Sequence, residues 1–300
     1  MVHTDTGRPI QGSEVSIGKT GNITVELPKG VDMDSKHQVT VIVTDPQKVP
    51  QKNINVIVKN DLGDKATGKT DKNGEVTVPE VERTEHHSAY VVGYTDGTFG
   101  PERNMTRSEA AAIFARLLAD KNGGNISPVA KTKFSDVPAY AWYSGYVKYL
   151  NNNGVTYGNS KTNFAPDKQI TRAEFTTLAV RFFDVYGDGD AEIMEQFKSF
   201  DDVSDGYWAA EYIKAAAKHG WITGYGDGSF RADRQITRAE VMTIVNRLLG
   251  RAADLEYVSD NLRKLNTFPD VSRRYWAYSD ILEAANAHNA ILGTEESWYK

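Results

Sequence analysis

The chain has 300 residues, of which 40% are hydrophobic and 25% charged, a composition typical of soluble globular proteins with two or three domains. Its formal net charge of −5 offers no broad positive surface for phosphate groups, which argues against nucleic-acid binding. Apolar runs stay far below the roughly 20 residues of a membrane helix, so no membrane insertion is expected. Cysteine is absent, which excludes disulfides, thiolate nucleophiles and cysteine-based metal sites.

Residues 1–85 show the two-residue apolar period of β-strands. Turn sequences such as Asn73-Gly74 separate the runs, and short strands at regular spacing favour a β-sandwich. The stretch 56–78 resembles bacterial immunoglobulin-like surface modules, so we predict an N-terminal all-β sandwich that is immunoglobulin-like. The alternation is clearest at Val15 and Ile17, at Ile23 and Val25, at Val39, Val41 and Val43, at Ile54, Val56 and Val58, and at Val76 and Val78.

Beyond residue 88 the apolar period changes to that of amphipathic helices. A stripe of five apolar side chains within residues 110–118 returns within residues 175–183 and again within residues 241–249, at offsets of 65 and 66 residues. Similarity at a nearly fixed spacing indicates an array of structural repeats.

Three short motifs recur in this array. The first is Phe-x-Asp-Val with a tryptophan eight residues after the phenylalanine, and each copy is predicted to open a helix. The second is Gly-Tyr-x-Asp-Gly-x-Phe, whose Asp-Gly pair is typical of tight turns. The third is Thr-Arg-(Ser/Ala)-Glu. The motifs contain Trp142, Trp208 and Trp276 in the first, Gly93, Tyr94, Gly224 and Tyr225 in the second, and Arg107, Arg172 and Arg238 in the third.

The third motif is a helix start with an unexplained cation. Threonine followed three residues later by glutamate is a capping box, worth on the order of 1 kcal/mol. The arginine beside it opposes the helix dipole at a cost of about 0.3–1 kcal/mol, whereas a charge-assisted hydrogen bond would return about 1.5–3 kcal/mol. Its partner is either an internal carboxylate such as Asp96 or Asp227, or an anionic ligand that free backbone N–H groups would also attract. We favour the ligand and keep both interpretations open.

Together the motifs of residues 88–300 resemble the S-layer homology family. The resemblance implies a mainly α, pseudo-threefold module of three lobes that attaches a bacterial surface protein non-covalently to the cell wall. Its implied partner is an anionic secondary cell-wall polysaccharide that is pyruvylated, held in grooves between the lobes. The implied contacts are the arginines Arg107, Arg172 and Arg238, the aromatic residues Trp142, Trp208 and Trp276, and the loop residues Gly93, Tyr94, Gly224 and Tyr225.

The same resemblance implies an extracellular location at the cell wall or S-layer. The first residues of the chain contain no apolar signal-peptide region. We therefore expect the signal peptide to lie outside this chain; taken alone, the start would also fit a cytoplasmic protein.

Two departures from the family pattern lead to further expectations. The middle loop, residues 156–164, is one residue longer and lacks the Asp-Gly turn, so we expect a weak or empty groove at Arg172. The first repeat lacks a leading Phe-x-Asp-Val segment, and the last segment has one without a following Thr-Arg. We therefore predict that the Trp276 helix packs beside the Arg107 helix. The predicted lobes are residues 88–133 completed by 268–300, residues 134–199, and residues 200–267.

Other polar and aromatic residues have simpler explanations. The three tryptophans either fill the core or form a groove wall. The aspartates of the first motif are expected to cap their own helices; they are Asp136, Asp202 and Asp270. His86 and His87 are expected to be solvated, and His219 and His288 to lie favourably near helix ends. The acidic run 184–192 lacks the register of a calcium-binding loop, so we predict an inter-repeat loop, no metal site and no cofactor.

Catalytic motifs are missing from the sequence, including a nucleophile elbow, a zinc-protease helix and a phosphate-binding loop. We therefore predict that this chain is not an enzyme. Two alternatives to glycan anchoring stay open. In the first alternative, the module is a structural S-layer assembly element that binds no glycan. In the second, it is the tether of an extracellular polysaccharide-active enzyme whose catalytic domain lies outside this chain.

Overall fold

The computed structural model describes residues 2–4, 14–17, 23–26, 39–59, 65–78, 83–186, 199–292 and 297–299. The acidic run predicted as an inter-repeat loop lies mostly outside the described residues. The chain divides into two compact units, one made of Met1–His86 with Asn289–Lys300 and the other of His87–His288. The predicted helical module extended to residue 300, whereas residues 289–300 group with the first unit.

The first unit contains small sheets of short strands. One sheet has the order β1-β4-β7 and a second has the order β2-β3-β5-β6, in which only the β3–β5 pair is parallel. A third sheet has the order β10-β9-β8. The strands are β1 (Val2–Thr4), β2 (Glu14–Ile17), β3 (Ile23–Glu26), β4 (Val39–Ile42), β5 (Asn55–Lys59), β6 (Lys65–Lys69), β7 (Glu75–Val78), β8 (Arg83–His87), β9 (His288–Leu292) and β10 (Ser297–Tyr299).

Valine side chains from the first two sheets form one core. Val41 and Val76 come from the β1-β4-β7 sheet, and they cluster with Val25, Val56 and Val58 from the four-stranded sheet. In β5 the buried residues alternate with more exposed ones, as a strand with one apolar face requires. The prediction of a β-rich N-terminal region is confirmed.

The second unit is built from pairs of helices. Helix α1 packs on α2, α3 on α4, and α5 on α7. The prediction that the Trp276 helix, α7, packs beside the Arg107 helix, α1, is wrong; α7 packs on α5, the Arg238 helix that precedes it in the chain. The helices are α1 (Arg107–Lys121), α2 (Ser144–Asn152), α3 (Arg172–Tyr186), α4 (Ala210–Lys218), α5 (Arg238–Leu249), α6 (Leu255–Asn261) and α7 (Tyr278–Ala285), with a 3-10 turn at Leu262–Lys264.

A carboxylate near the end of the chain completes the first repeat. The two Asp270 oxygens accept hydrogen bonds from the backbone N–H groups of Phe99 (2.9 Å) and Gly100 (2.7 Å). The Phe268 ring lies 5.2 Å from the Phe99 ring, centroid to centroid. Residues from opposite ends of the second unit are thereby joined.

The same carboxylate bridge occurs in the other repeats. Asp136 accepts from Phe164 N–H at 2.8 Å and from Ala165 N–H at 2.6 Å. Asp202 accepts from the N–H groups of residues 230 and 231, both at 2.7 Å. The expectation that these aspartates cap their own helices is wrong, because each of them holds a loop distant in sequence.

The three repeats meet at the residues just before their arginine helices. Met105 N–H donates to the Ile236 carbonyl, Ile236 N–H to the Ile170 carbonyl, and Ile170 N–H to the Met105 carbonyl, at 2.9–3.1 Å. The three side chains are fully buried. The result is a closed triangle of backbone hydrogen bonds, which we call the central triangle.

None of the helices in the described part of the chain has the length and apolar character that spanning a membrane requires.

Candidate ligand-binding groove

The capping boxes predicted from the third motif are confirmed. In α1 and α5 the threonine side chain accepts from the glutamate N–H, and the glutamate side chain accepts from the threonine N–H. Thr171 and Glu174 make the same reciprocal pair at the start of α3, at 3.0 and 3.2 Å. The capping boxes set where these helices begin and therefore where the neighbouring arginines lie.

The three motif arginines are buried, with only 5–6% of each residue exposed. Each Nε donates to the carbonyl of a phenylalanine in the loop of another repeat. Arg107 reaches Phe164, Arg172 reaches Phe230, and Arg238 reaches Phe99, at 2.8, 2.8 and 2.9 Å. A cation in the first helical turn is therefore explained in part by a hydrogen bond between repeats.

The backbone N–H groups at these helix starts are already occupied. In α3, Arg172 N–H donates to the Arg234 carbonyl at 2.8 Å and Ala173 N–H to the Ala232 carbonyl at 2.9 Å. Equivalent bonds hold the first two N–H groups of α1 and α5. The expectation that free N–H groups would attract an anion is wrong, so an anionic ligand must rely on side chains.

The internal carboxylate partners differ from those expected. Asp96 and Asp227 bind residues of their own loops. The arginines pair instead with capping-box glutamates. Arg107 Nη1 lies 3.6 Å from Glu174, and Arg172 Nη1 lies 3.2 Å from Glu240.

Arg238 breaks this pattern. Within the described residues it has no carboxylate oxygen within 4.0 Å, and its Nη2 donates instead to the Val92 carbonyl at 3.1 Å. The internal ion-pair interpretation therefore holds for two of the three arginines.

Glu240 is a junction of charges beside Arg172. Burial by itself would raise its pKa, but hydrogen bonds from Thr237 and Tyr225, with the charges of Arg172 and Arg234, hold the pKa below its ordinary value. Burial lowers the pKa of Arg172, and the Glu240 carboxylate opposes this shift. The guanidinium stays charged at physiological pH.

Acid should weaken this junction. A carboxylate whose folded pKa is depressed stabilises the fold fully above its unfolded pKa, and this contribution disappears as the pH falls through the folded pKa. We expect Glu240→Gln to reduce the free energy of unfolding by on the order of 1–3 kcal/mol at pH 7. Urea unfolding of both proteins from pH 7 to pH 3 should show this difference shrinking, and a constant difference would contradict the assignment.

A cavity of about 260 Å³ lies beside Arg172. It brings together four of the predicted site residues, which come from three different motifs. Its lining includes Arg172, Gly224, Tyr225 and Trp276. The reason for expecting a weak groove here does not hold, because Arg172 faces the 224–230 loop, which has the Asp-Gly turn. The 156–164 loop, which lacks the Asp-Gly turn, faces Arg107 instead. The expectation that this loop is one residue longer is wrong, because Gly158 and Phe164 are as far apart in sequence as Gly224 and Phe230.

The tryptophans of the first motif do not fill the core. Trp142, Trp208 and Trp276 are 56%, 58% and 58% exposed. Their core interpretation is wrong, and the buried neighbours Tyr143, Ala209 and Ala277 fill the apolar interior instead. The Trp276 indole lines the cavity beside Arg172.

The glycines of the second motif are required by packing. Gly224 has a left-handed φ of +68°, and a Cβ on it would lie 2.4 Å from the Phe200 ring. A Cβ on Gly93 would lie 2.6 Å from the Phe268 ring. The tyrosine after each glycine is placed under a guanidinium, Tyr225 under Arg172 at 4.8 Å and Tyr94 under Arg238 at 4.7 Å from atom Cζ to ring centroid.

One groove residue was missed from the sequence. Arg247 lines the cavity, and an arginine recurs ten residues after the capping threonine in every repeat, as Arg116, Arg181 and Arg247. In the first two repeats this arginine contacts a tyrosine hydroxyl of the paired helix, at 3.3 Å on Tyr146 and 3.0 Å on Tyr212.

The third repeat lacks that tyrosine. Asp280 stands at the equivalent position of α7, and its carboxylate accepts from Thr243 at 2.6 Å and from Asn246 at 3.2 Å. Arg247 is exposed, and its guanidinium makes no hydrogen bond or ion pair within the part of the chain that the structure describes. The cavity therefore presents an uncommitted cation beside an exposed indole.

Comparison with known proteins agrees with the geometry. Residues 86–111, 133–176 and 199–242 match the S-layer homology domain family. The chain is 38% identical over 218 residues to Cell surface glycoprotein 1 of Acetivibrio thermocellus, covering 70% of this chain and 9% of that protein. It is 35% identical over 224 residues to the Cellulosome-anchoring protein of the same organism, covering 74% and 47%.

A third relative is the Surface-layer 125 kDa protein of Lysinibacillus sphaericus, 32% identical over 162 residues, covering 53% of this chain and 13% of that protein. The chain spans less than half the length of each of these relatives. Three matched segments, three capping boxes and a closed arrangement of repeats lead to one conclusion. The helical unit of this chain belongs to the S-layer homology domain family, whose members are proteins of the bacterial cell surface and S-layer.

Proposed function

We propose that the helical unit anchors its protein to the cell wall by binding an anionic, pyruvylated secondary cell-wall polysaccharide. The cavity of Arg172, Arg247 and Trp276 is the principal site. The observation that carries this proposal is the uncommitted Arg247 guanidinium beside an exposed indole in one cavity. The name of one relative, a cellulosome-anchoring protein, supports an anchoring role.

The chemistry of the cavity suits a sugar that bears a carboxylate. Arg247 offers a planar fork of N–H donors that matches a carboxylate in two parallel hydrogen bonds. Trp276 offers an apolar face against which a sugar ring can stack. Arg172 and Glu240 also line the cavity, but they are paired with each other at 3.2 Å, so among the described residues of the cavity Arg247 supplies the unpaired positive charge.

The other two grooves are proposed as secondary sites. In the groove proposed at Arg107, the residue equivalent to Arg247 is Arg181. Its guanidinium lies over the Tyr157 ring at 4.9 Å, so this cation is already in contact with the protein. Beside Arg238, the loop residues Gly93 and Tyr94 are in place, but Arg116 is held by Tyr146. Trp208 and Trp142 are exposed and available as sugar-stacking surfaces. Several weak sites on one polymer would raise the overall affinity.

The lobes follow from the same scheme. We assign residues 88–133 with the Phe268 segment to lobe 1, residues 134–199 to lobe 2 and residues 200–267 to lobe 3. The Asp270 bridge supports the circular completion of lobe 1. The β-rich unit is proposed to be an immunoglobulin-like sandwich that acts as a spacer. The valine core shared by the β1-β4-β7 sheet and the four-stranded sheet supports this proposal.

Sedimentation with purified wall sacculi tests the anchoring role. We expect the chain to sediment with intact sacculi and to stay in the supernatant after the attached polymer is removed chemically. Equal binding to stripped sacculi would contradict a polysaccharide ligand.

A second candidate function is S-layer assembly without glycan, which the Arg107 and Arg172 ion pairs favour. It predicts that the chain forms ordered sheets in the absence of sacculi and that soluble wall polymer does not compete. A third candidate, the tether of an extracellular polysaccharide-active enzyme whose catalytic domain lies outside this chain, predicts the same binding to sacculi as anchoring does.

A further inference from the structure

Two histidines and a glutamate form a buried cluster away from the groove. His87, Glu283 and His288 have side chains that are 4%, 0% and 3% exposed. The expectation that His87 is solvated is wrong, and His288 is buried rather than simply placed at a helix end. His87 and His288 are the first and last residues of the helical unit.

The donor atoms of the cluster converge. His87 Nδ1 lies 3.2 Å from His288 Nε2 and 3.7 Å from Glu283 Oε1. His288 Nε2 lies 3.5 Å from Glu283 Oε2. Ligands at 2.0–2.2 Å from a tetrahedral metal are separated from one another by about 3.3–3.6 Å. The distance between the two nitrogens and the distance from each nitrogen to its nearer glutamate oxygen are close to this spacing, and one ligand atom from each residue lies within 4.8 Å of the other two.

The neighbour of His288 fixes how its imidazole is oriented. Its Nδ1 lies 3.0 Å from the Asn286 carbonyl oxygen. A carbonyl only accepts hydrogen bonds, so Nδ1 carries the proton and a neutral ring turns its Nε2 lone pair toward the cluster. A carbonyl partner behind the ligating ring is the usual outer contact of a metal-bound histidine.

The glutamate lacks the donors that a buried carboxylate needs. Within the described residues, neither Glu283 oxygen accepts a hydrogen bond, although both are buried. The nearby Tyr90 hydroxyl donates to Asn246 instead, at 2.5 Å. An uncompensated buried carboxylate is strongly unfavourable, whereas a cation between the three side chains would satisfy it.

We infer that His87, Glu283 and His288 bind one divalent transition-metal ion of the zinc class. Two imidazole nitrogens and a carboxylate oxygen suit zinc and its neighbours better than calcium or magnesium, which take oxygen ligands. Burial of all three side chains closes the site to a substrate, so the role is structural. The ion would tie the first residue of the helical unit to its last.

Metal titration of the full, EDTA-treated chain tests the inference. We expect one equivalent of Zn²⁺ per chain by calorimetry and a tetrahedral visible spectrum when Co²⁺ is the probe. At a hundredfold excess of free Zn²⁺ over its Kd, the Tm should rise by about 5–10 °C. Glu283→Gln and His288→Gln should each weaken Zn²⁺ binding by about 100-fold or more.

The exposed neighbour His86 supplies the matched control, because His86→Gln should bind Zn²⁺ as the parent chain does. A parent chain that shows no Tm shift with Zn²⁺ and leaves Co²⁺ octahedral would overturn the inference, and this measurement needs no variant. If the Tm does not respond to metal but rises as the pH is lowered and the histidines gain protons, the cluster is a histidine–glutamate ion pair instead. Unchanged Zn²⁺ affinity in both ligand variants would also overturn it.

Discussion

Replacing Arg247 with alanine should weaken the binding of a pyruvylated wall glycan by about 10- to 100-fold. The loss corresponds to one pair of charge-assisted hydrogen bonds, about 1.5–3 kcal/mol, and no carboxylate among the described residues forms an ion pair with this cation. Folding should be unaffected, because the Arg247 side chain is exposed and its guanidinium makes no hydrogen bond or ion pair within the described residues. Calorimetry with solubilised wall polymer would measure the change.

The control for this experiment is another exposed arginine. Arg263 lies in the 3-10 turn after α6 and does not line the cavity, so Arg263→Ala should bind like the parent chain. Trp276→Ala should also weaken binding, by the loss of a stacking surface. Full affinity in the Arg247 variant for a pyruvylated polymer would refute the carboxylate-binding role. Equal loss in the Arg263 variant would indicate non-specific attraction of charge.

Replacing Asp270 with alanine should lower the free energy of unfolding of the helical unit by about 2–4 kcal/mol. Two hydrogen bonds to an ionised carboxylate are lost at once, and two backbone N–H groups lose their acceptor. For a unit of this size the Tm should fall by about 5–15 °C. Thermal and urea unfolding, followed by far-ultraviolet circular dichroism, would measure the shift.

Hydrogen exchange would show where the Asp270 variant opens. The amide protons of Phe99 and Gly100 should exchange faster, together with that of Tyr90, which donates to the Ala284 carbonyl. Asp260→Ala is the matched control, since Asp260 is exposed on α6 and its carboxylate has no hydrogen-bond or ion-pair partner in the described part of the chain. Equal destabilisation in both variants would contradict the closing role of Asp270.

Local signals in the sequence predicted the helices well. The capping boxes at Thr106, Thr171 and Thr237 act between residues three apart, so spacing alone identifies them. The apolar stripes likewise predict which helix faces are buried. Both signals act within one or two helical turns, where the helical period of about 3.6 residues determines which side chains lie on the same face.

Contacts between distant residues were harder to predict. Asp136 lies beside a helix start, where a local cap is the expected explanation, yet its partners lie 28 and 29 residues later. The Asp270 bridge joins residues 170 and 171 positions apart. The partner of α7 was predicted wrongly. The sequence shows that the incomplete first repeat and the incomplete last segment complement each other, but it does not show which of their helices and loops are in contact.

The groove itself was predicted in part. The motifs identified Arg172, Tyr225 and Trp276, which the cavity brings together. Arg247 was not predicted, although an arginine stands at this position in every repeat. It lies among the apolar residues of the helix stripe, which were interpreted only as core residues. Its guanidinium is left without a tyrosine partner because of one difference in α7, which is far away in sequence, where Asp280 stands in place of a tyrosine.

The central triangle has a consequence for how this unit gains and loses structure. In an open solenoid, repeats stack in a line, and a terminal one can fray or be deleted while the rest persists. Here the backbone of Met105, Ile170 and Ile236 forms a cycle without a terminal member, so removing any one repeat strands a donor and an acceptor in the other two. The three repeats should therefore unfold together, and the set of three, not the single repeat, is the unit that folds.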